Sequence, residues 1–113
     1  MMILEELNDL LSNFGIPVET GEFSDSAPYT YSVLTPLTDR FEVYGDNLPL
    51  IDVNEVRISL FTKGNYLETK RQITKALLQA NFTITDRLFV GFEKDTKYFH
   101  LAIDVAKHYE MEG

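Results

Sequence analysis

Val53-Asn54-Glu55-Val56-Arg57-Ile58-Ser59-Leu60-Phe61 alternates in character, and Thr62-Lys63-Gly64 carries it to Asn65, where the period changes. Val56, Ile58 and Leu60 fall on one side of an extended chain, and Val53, Glu55, Arg57 and Ser59 on the other. That is the pattern of a half-buried antiparallel strand whose second face is wet or covered by a partner. From Tyr66 to Ala80, the residues Tyr66, Ile73, Ala76, Leu77 and Ala80 recur at helical spacing, with Lys70, Arg71 and Lys75 on the polar side. Asn65 suits the N-cap and Glu68 the reciprocal position of a capping box, while Asn81 ends the helix.

Upstream, Ile3, Leu4, Leu7, Leu10, Leu11 and Phe14 step by three and four, which predicts a helix over Ile3 to Phe14 with Glu5 and Glu6 at the positive end of its dipole. Gly15-Ile16-Pro17 stops it: Gly15 suits a left-handed C′ position, Ile16 packs back, and Pro17 forbids continuation. Residues 18–28 read as a connection with a short strand near Val18. Tyr29 to Leu34 alternates as a strand ending before Pro36. Arg40 to Tyr44 alternates again and runs into the turn residues Gly45-Asp46-Asn47.

Downstream, Phe82, Ile84, Leu88, Val90 and Phe92 make one alternating set, interrupted at Asp86. Phe99, Leu101, Ile103 and Val105 make another, and Lys94 to Lys97 turns between them. From Lys107 the chain is charged and expected to fray. The order α-β-β-β-α-β-β predicts an α+β fold: a largely antiparallel sheet with two helices packed on one face, in a single domain over residues 1–113.

The 113 residues are 44% apolar, enough for one core that buries roughly two-thirds of the unfolded surface. The absence of Cys excludes thiolate metal sites and cysteine nucleophiles. A net charge of −8, with ten basic residues scattered from Arg40 to Lys107, opposes binding to polyphosphates, so no sequence-specific nucleic acid is expected as a partner. The start has no basic n-region, and no apolar run nears the ~20 residues of a membrane span. The expectation is a soluble, cytoplasmic chain with no membrane partner.

Chemistry is sparse. His100 and His108 are too few for a histidine-rich metal site. His100 and Asp104 share a strand face but lie about 14 Å apart along it, too far to share a ligand. His100 reads as a solvent-facing strand residue. Asp39, Asp46, Asp52 and Glu55 read as solvated acidic loops, since Asp46 to Glu55 lacks the alternating oxygen ligands and closing Glu of a calcium loop. No nucleophile elbow or dinucleotide-binding glycine cluster exists. The sequence therefore predicts no enzyme, no catalytic or metal residues and no cofactor. Tyr29, Tyr31, Tyr44, Tyr66, Tyr98 and Tyr109 are candidates for contact surface, with some expected to cap the core edge.

Several stretches resemble a family of small tail-completion or tail-terminator proteins of phages and prophages of Gram-positive bacteria. They are the leucine helix with Phe14-Gly15-Ile16-Pro17-Val18, Ala27-Pro28-Tyr29-Thr30-Tyr31, Phe41 to Leu48 with Tyr44-Gly45-Asp46-Asn47, Val53 to Gly64, and the closing hairpin. The resemblance covers most of the chain through patterns of fold and turn. It implies a structural protein of the virion tail, made in the host cytoplasm, which forms an oligomeric ring joining tail tube to head connector. Tyr44, Asp46, Asn47, Leu48, Leu50 and Ile51 are then the interface candidates, because apolar residues sit beside a flexible turn. The opposing expectation is a small-ligand or regulatory module of ferredoxin-like type with a pocket between helix and sheet. A hydrolase using Asp46 and Asp52 is a third.

Overall fold

The computed structural model describes residues 3–19, 28–43 and 50–111. Helix α1 spans Ile3–Asn13, and β1 is the two-residue strand Val18–Glu19. Long strands β2 (Thr30–Val43) and β3 (Leu50–Thr62) follow, then α2 (Tyr66–Gln79), β4 (Thr83–Phe92) and β5 (Phe99–Met111). The order matches the expected α-β-β-β-α-β-β, and the five strands form one sheet in the order β1-β2-β3-β5-β4. All pairings are antiparallel except the short parallel one between β1 and β2.

Local signals explain both helices and their ends. Gly15 has a φ of +72°, Ile16 N–H donates to the Leu11 carbonyl at 3.0 Å, and Gly15 N–H donates to Ser12 at 2.9 Å. These two bonds define a Schellman cap, and Ile16 folds back into the core as the motif favours. Asn81 repeats the arrangement at the end of α2 with a φ of 67°: Phe82 N–H reaches Leu77 at 3.0 Å and Asn81 N–H reaches Leu78 at 3.1 Å. At the other end, the Asn65 side chain accepts from Glu68 N–H at 3.1 Å, as an N-cap should. The Glu68 carboxylate accepts from the Gln72 amide one turn on.

The strands before α2 are divided differently from the sequence expectation. The two strands expected at Tyr29–Leu34 and Arg40–Tyr44 are one strand, β2, and the short β1 makes up the number. Pro36 does not end β2: among the described residues β1 covers Ser32 and Val33, and at Pro36 no described strand pairs on that side, where a missing N–H does little harm. A register shift between Pro36 and Thr38 leaves Leu37 as the bulged residue. The expected fraying from Lys107 also does not occur. Lys107 to Met111 continues β5 against Asn54 to Leu50, and the Lys107 ammonium bridges Glu6 of α1 at 2.7 Å.

Both helices lie on the same face of the sheet. Leu7 and Leu11 of α1 and Ile73 and Leu77 of α2 close over Val56, Ile58 and Leu60 of β3 and Leu101, Ile103 and Val105 of β5. Each large side chain buried this way contributes roughly 1.5–3 kcal/mol relative to exposure. Glu6 of α1 is linked to the end of α2 through Lys107, which also donates to the Ala80 carbonyl at 3.2 Å. Helix α1 therefore sits over the β1 side of the sheet and α2 over the β4 side.

Candidate functional site

The face of the sheet away from the helices is built from the alternate residues of the same strands. In β3 these are Glu55, Arg57, Ser59 and Phe61, which register with Ala106, Asp104, Ala102 and His100 of β5. Arg57 grips Asp104 with both prongs: Nε to Oδ1 at 2.8 Å and Nη2 to Oδ2 at 3.0 Å. This bond raises the Arg57 pKa further and keeps the guanidinium charged. Thr85 of β4 donates to the Glu55 carboxylate at 2.7 Å. The polar part of the face is thus tied across three strands.

Beyond it runs an aromatic ladder. Tyr31 of β2 stacks on Phe61 of β3 with centroids 4.7 Å apart, and Phe61 stacks on His100 of β5 at 4.2 Å. Tyr98 stands edge-on to Tyr31 and Phe61, and its hydroxyl donates to the Pro28 carbonyl. The Lys63 ammonium lies 4.9 Å from the Tyr98 ring centre. Desolvation, then Glu93, raises the Tyr98 pKa; burial, then Tyr98 and Glu93, raises that of Tyr31. His100 is therefore half-buried and stacked, not solvent-facing. Burial lowers its pKa, Glu93 opposes the shift and Arg57 adds to it. The cause is non-local: rings 39 residues apart in sequence meet across neighbouring strands.

The tyrosines are also more structural than a contact-surface role requires. Tyr98 is buried, Tyr66 and Tyr109 pack against the core, and Tyr31 stacks within the sheet, while Tyr29 is exposed. Tyr109 lies near Glu6, and burial first, then that carboxylate, raises its pKa, although its hydroxyl makes no bond of normal geometry among the described residues. Of the acidic group, Asp39 belongs to strand β2 and Asp52 and Glu55 to β3, so the loop expectation fails for these three, while Asp46 lies outside the described residues. Of the six interface candidates, Tyr44, Asp46, Asn47 and Leu48 lie outside the described residues. Leu50 and Ile51 open β3, opposite Val43 and Glu42.

One run of exposed apolar side chains is not expected to be exposed from the sequence. It is on β4, an edge strand, where Leu88, Phe89, Val90 and Phe92 are 44–50% exposed. The sequence groups Leu88, Val90 and Phe92 on one side, but register shifts at Ile84/Asp86 and Phe89/Gly91 set Leu88 opposite Ala102 on the open face and Phe89 and Phe92 opposite Leu101 and Phe99 on the helix face, and the strand order leaves them all at the sheet edge. The polar residues of α2 likewise look in sequence like a solvated side. With Arg87 of β4 they form a groove of about 650 Å³ lined by Lys70, Arg71, Thr74, Lys75 and the exposed Leu67 and Leu78. Basic residues scattered in sequence are therefore gathered in space.

Among the described residues, no group of three His, Asp or Glu residues could hold a metal, and no helix is long and apolar enough to cross a membrane. Compared with known proteins, the chain matches no family model and no curated protein.

Proposed function

We propose that this chain is a phage or prophage virion structural protein of the tail-completion, tail-terminator or head-tail joining type, acting in the virion tail by oligomeric ring assembly. The observation that best supports the reading is the β4 edge, with four apolar side chains within five residues left about half exposed. Exposed apolar side chains on both faces of an edge strand call for a covering body. The likeness of sequence supplies the class, and the tail tube and head connector are the expected neighbours beside other copies of the chain. The opposing small-ligand reading needs a pocket between helix and sheet. Beneath the helices Leu7, Leu11, Ile58, Ile73, Leu77 and Ile103 are packed with no solvent exposure, which leaves that reading the open groove between α2 and Arg87 of β4 at the flank.

The test is the solution mass of the purified chain over a concentration series, followed by binding to its cognate tube and connector subunits. A closed oligomer, or a shift toward one with rising concentration, is the expected result. A monomer at high concentration that also ignores those neighbours would sink the reading.

A further inference from the structure

The cations of this chain are confined to its later part, while carboxylates occur throughout. No Lys or Arg occurs before Arg40, whereas Glu5, Glu6, Asp9, Glu19, Glu22, Asp25 and Asp39 all fall in that stretch. The fold turns this asymmetry in sequence into one in space. Helix α1 packs beside β1, helix α2 packs beside β4, and these two strands are the opposite edges of the sheet.

The flank at β4 is cationic. Lys70, Arg71 and Lys75 of α2 and Arg87 of β4 line the groove between these elements, with Glu68 the acidic residue among its walls. Leu67 and Leu78 stand there 57% exposed. The flank at β1 is the counterpart. Glu5 and Asp9 are exposed on α1, which packs against β1, the strand that carries Glu19, while Glu6, one position round the helix, is paired with Lys107. Leu4, Glu5, Asn8, Val18 and Leu34 line a shallow groove of about 300 Å³ there. One flank thus presents exposed leucines among cations, and the other an apolar hollow with Glu5 in its wall and Asp9 exposed one turn further along α1.

We infer that these two flanks are the two halves of one head-to-tail contact, in which the α2–β4 flank of one copy docks against the α1–β1 flank of the next. The inference rests on the ring reading and names its surfaces. Two different patches on one subunit make a heterologous contact, which closes into a ring when the rotation per subunit allows. Opposite charge at the rim steers and registers the pair, and the exposed leucines of one side have an apolar hollow on the other. Plain strand addition along β4 is a poorer mode. Register shifts at Ile84/Asp86 and Phe89/Gly91 and the charged pair Asp86-Arg87 interrupt the straight row of backbone groups that strand pairing needs. Nucleic acid is a poorer occupant of the cationic groove because the chain as a whole carries −8.

Charge reversal tests the contact on the full chain. One variant carries Lys70→Glu, Arg71→Glu and Lys75→Glu, and the other Glu5→Lys and Asp9→Lys. Circular dichroism first verifies that both retain the fold. In light scattering behind size exclusion at low salt, each variant alone should need at least about tenfold more protein to associate than the wild type, because like charges then face each other. An equimolar mixture should recover association, since each variant now complements the other on both flanks. If the wild type associates and both variants associate equally well, the flank assignment is overturned while the ring reading stands. If the wild type stays monomeric throughout and also ignores tube and connector subunits, both fall. If the wild type retains a short DNA duplex, the triple variant loses it and the mass profile does not change, the groove is a polyphosphate site and the self-contact is wrong.

Discussion

Ile58 and Arg57 are adjacent in β3 and turn to opposite faces of the sheet. Ile58 has no solvent exposure and packs in the cluster that both helices close, whereas the Arg57 side chain is 40% exposed and is held by Asp104 across the sheet. The helix face gains its stability from area removed from water, contributed jointly by α1, α2, β3 and β5. The open face gains its order from paired groups, namely the Arg57–Asp104 fork, the Thr85–Glu55 bond and the Tyr31–Phe61–His100 stack. The first kind of face needs its covering layer to exist. The second is organised within the sheet, so it can meet solvent or another body without refolding.

The sharpest way to break this contrast is on the helix face. Leu77→Ala is expected to cost about 2–5 kcal/mol in urea unfolding, because a fully buried leucine is replaced by a cavity. A loss near zero would mean that α2 does not close the core. On the open face, Arg57→Met should destabilise less than that, and it leaves the buried Asp104 carboxylate without its fork. Adding Asp104→Leu should recover part of the loss, since the uncompensated charge is then gone. No recovery would mean that the pair acts by shape and not by charge.

His100 gives a smaller, pH-dependent effect. Burial, with Arg57, holds its pKa below the ordinary 6.5, with Glu93 opposing, so the unfolded chain takes up the proton at higher pH than the folded chain does. The stability contributed by neutral His100 is complete above the unfolded pKa and is lost as pH falls through the folded one. His100→Phe keeps a ring against Phe61 and removes the titration. Between about pH 7.5 and 5.5 its Tm should therefore fall less than that of the wild type. Parallel profiles would remove His100 from the account. The smallest change is expected for Leu88→Lys on β4, within about 0.5 kcal/mol for the monomer, because that side chain is already 50% exposed.

Much of the helix face is legible in the sequence. The stripe of Leu7 and Leu11, the Asn65 cap, the Gly15 and Asn81 ends and the alternation of Val56, Ile58 and Leu60 all rest on residues within five positions of one another, where local geometry dictates the outcome. The open face is less legible. Arg57 and Asp104 are 47 residues apart, and nothing near either residue marks the other. The cationic groove is hidden for the same reason: Lys70, Arg71 and Lys75 announce a polar helix side, but Arg87 joins them through the packing of α2 beside β4.

By itself the sequence determined both helices, their caps, the parity of β3 and β5 and the class of fold, because helix and strand periods are properties of short stretches of backbone; in β4 two register shifts break the parity that the sequence implied. It also determined the uneven distribution of charge, with no cation before Arg40. Tertiary structure decided the strand order β1-β2-β3-β5-β4, the continuity of β2 through Pro36, the extension of β5 to Met111, and which apolar strand was left at an edge. Those outcomes depend on which strand finds which neighbour. A strand's own alternation says which of its faces is buried and nothing about who lies beside it.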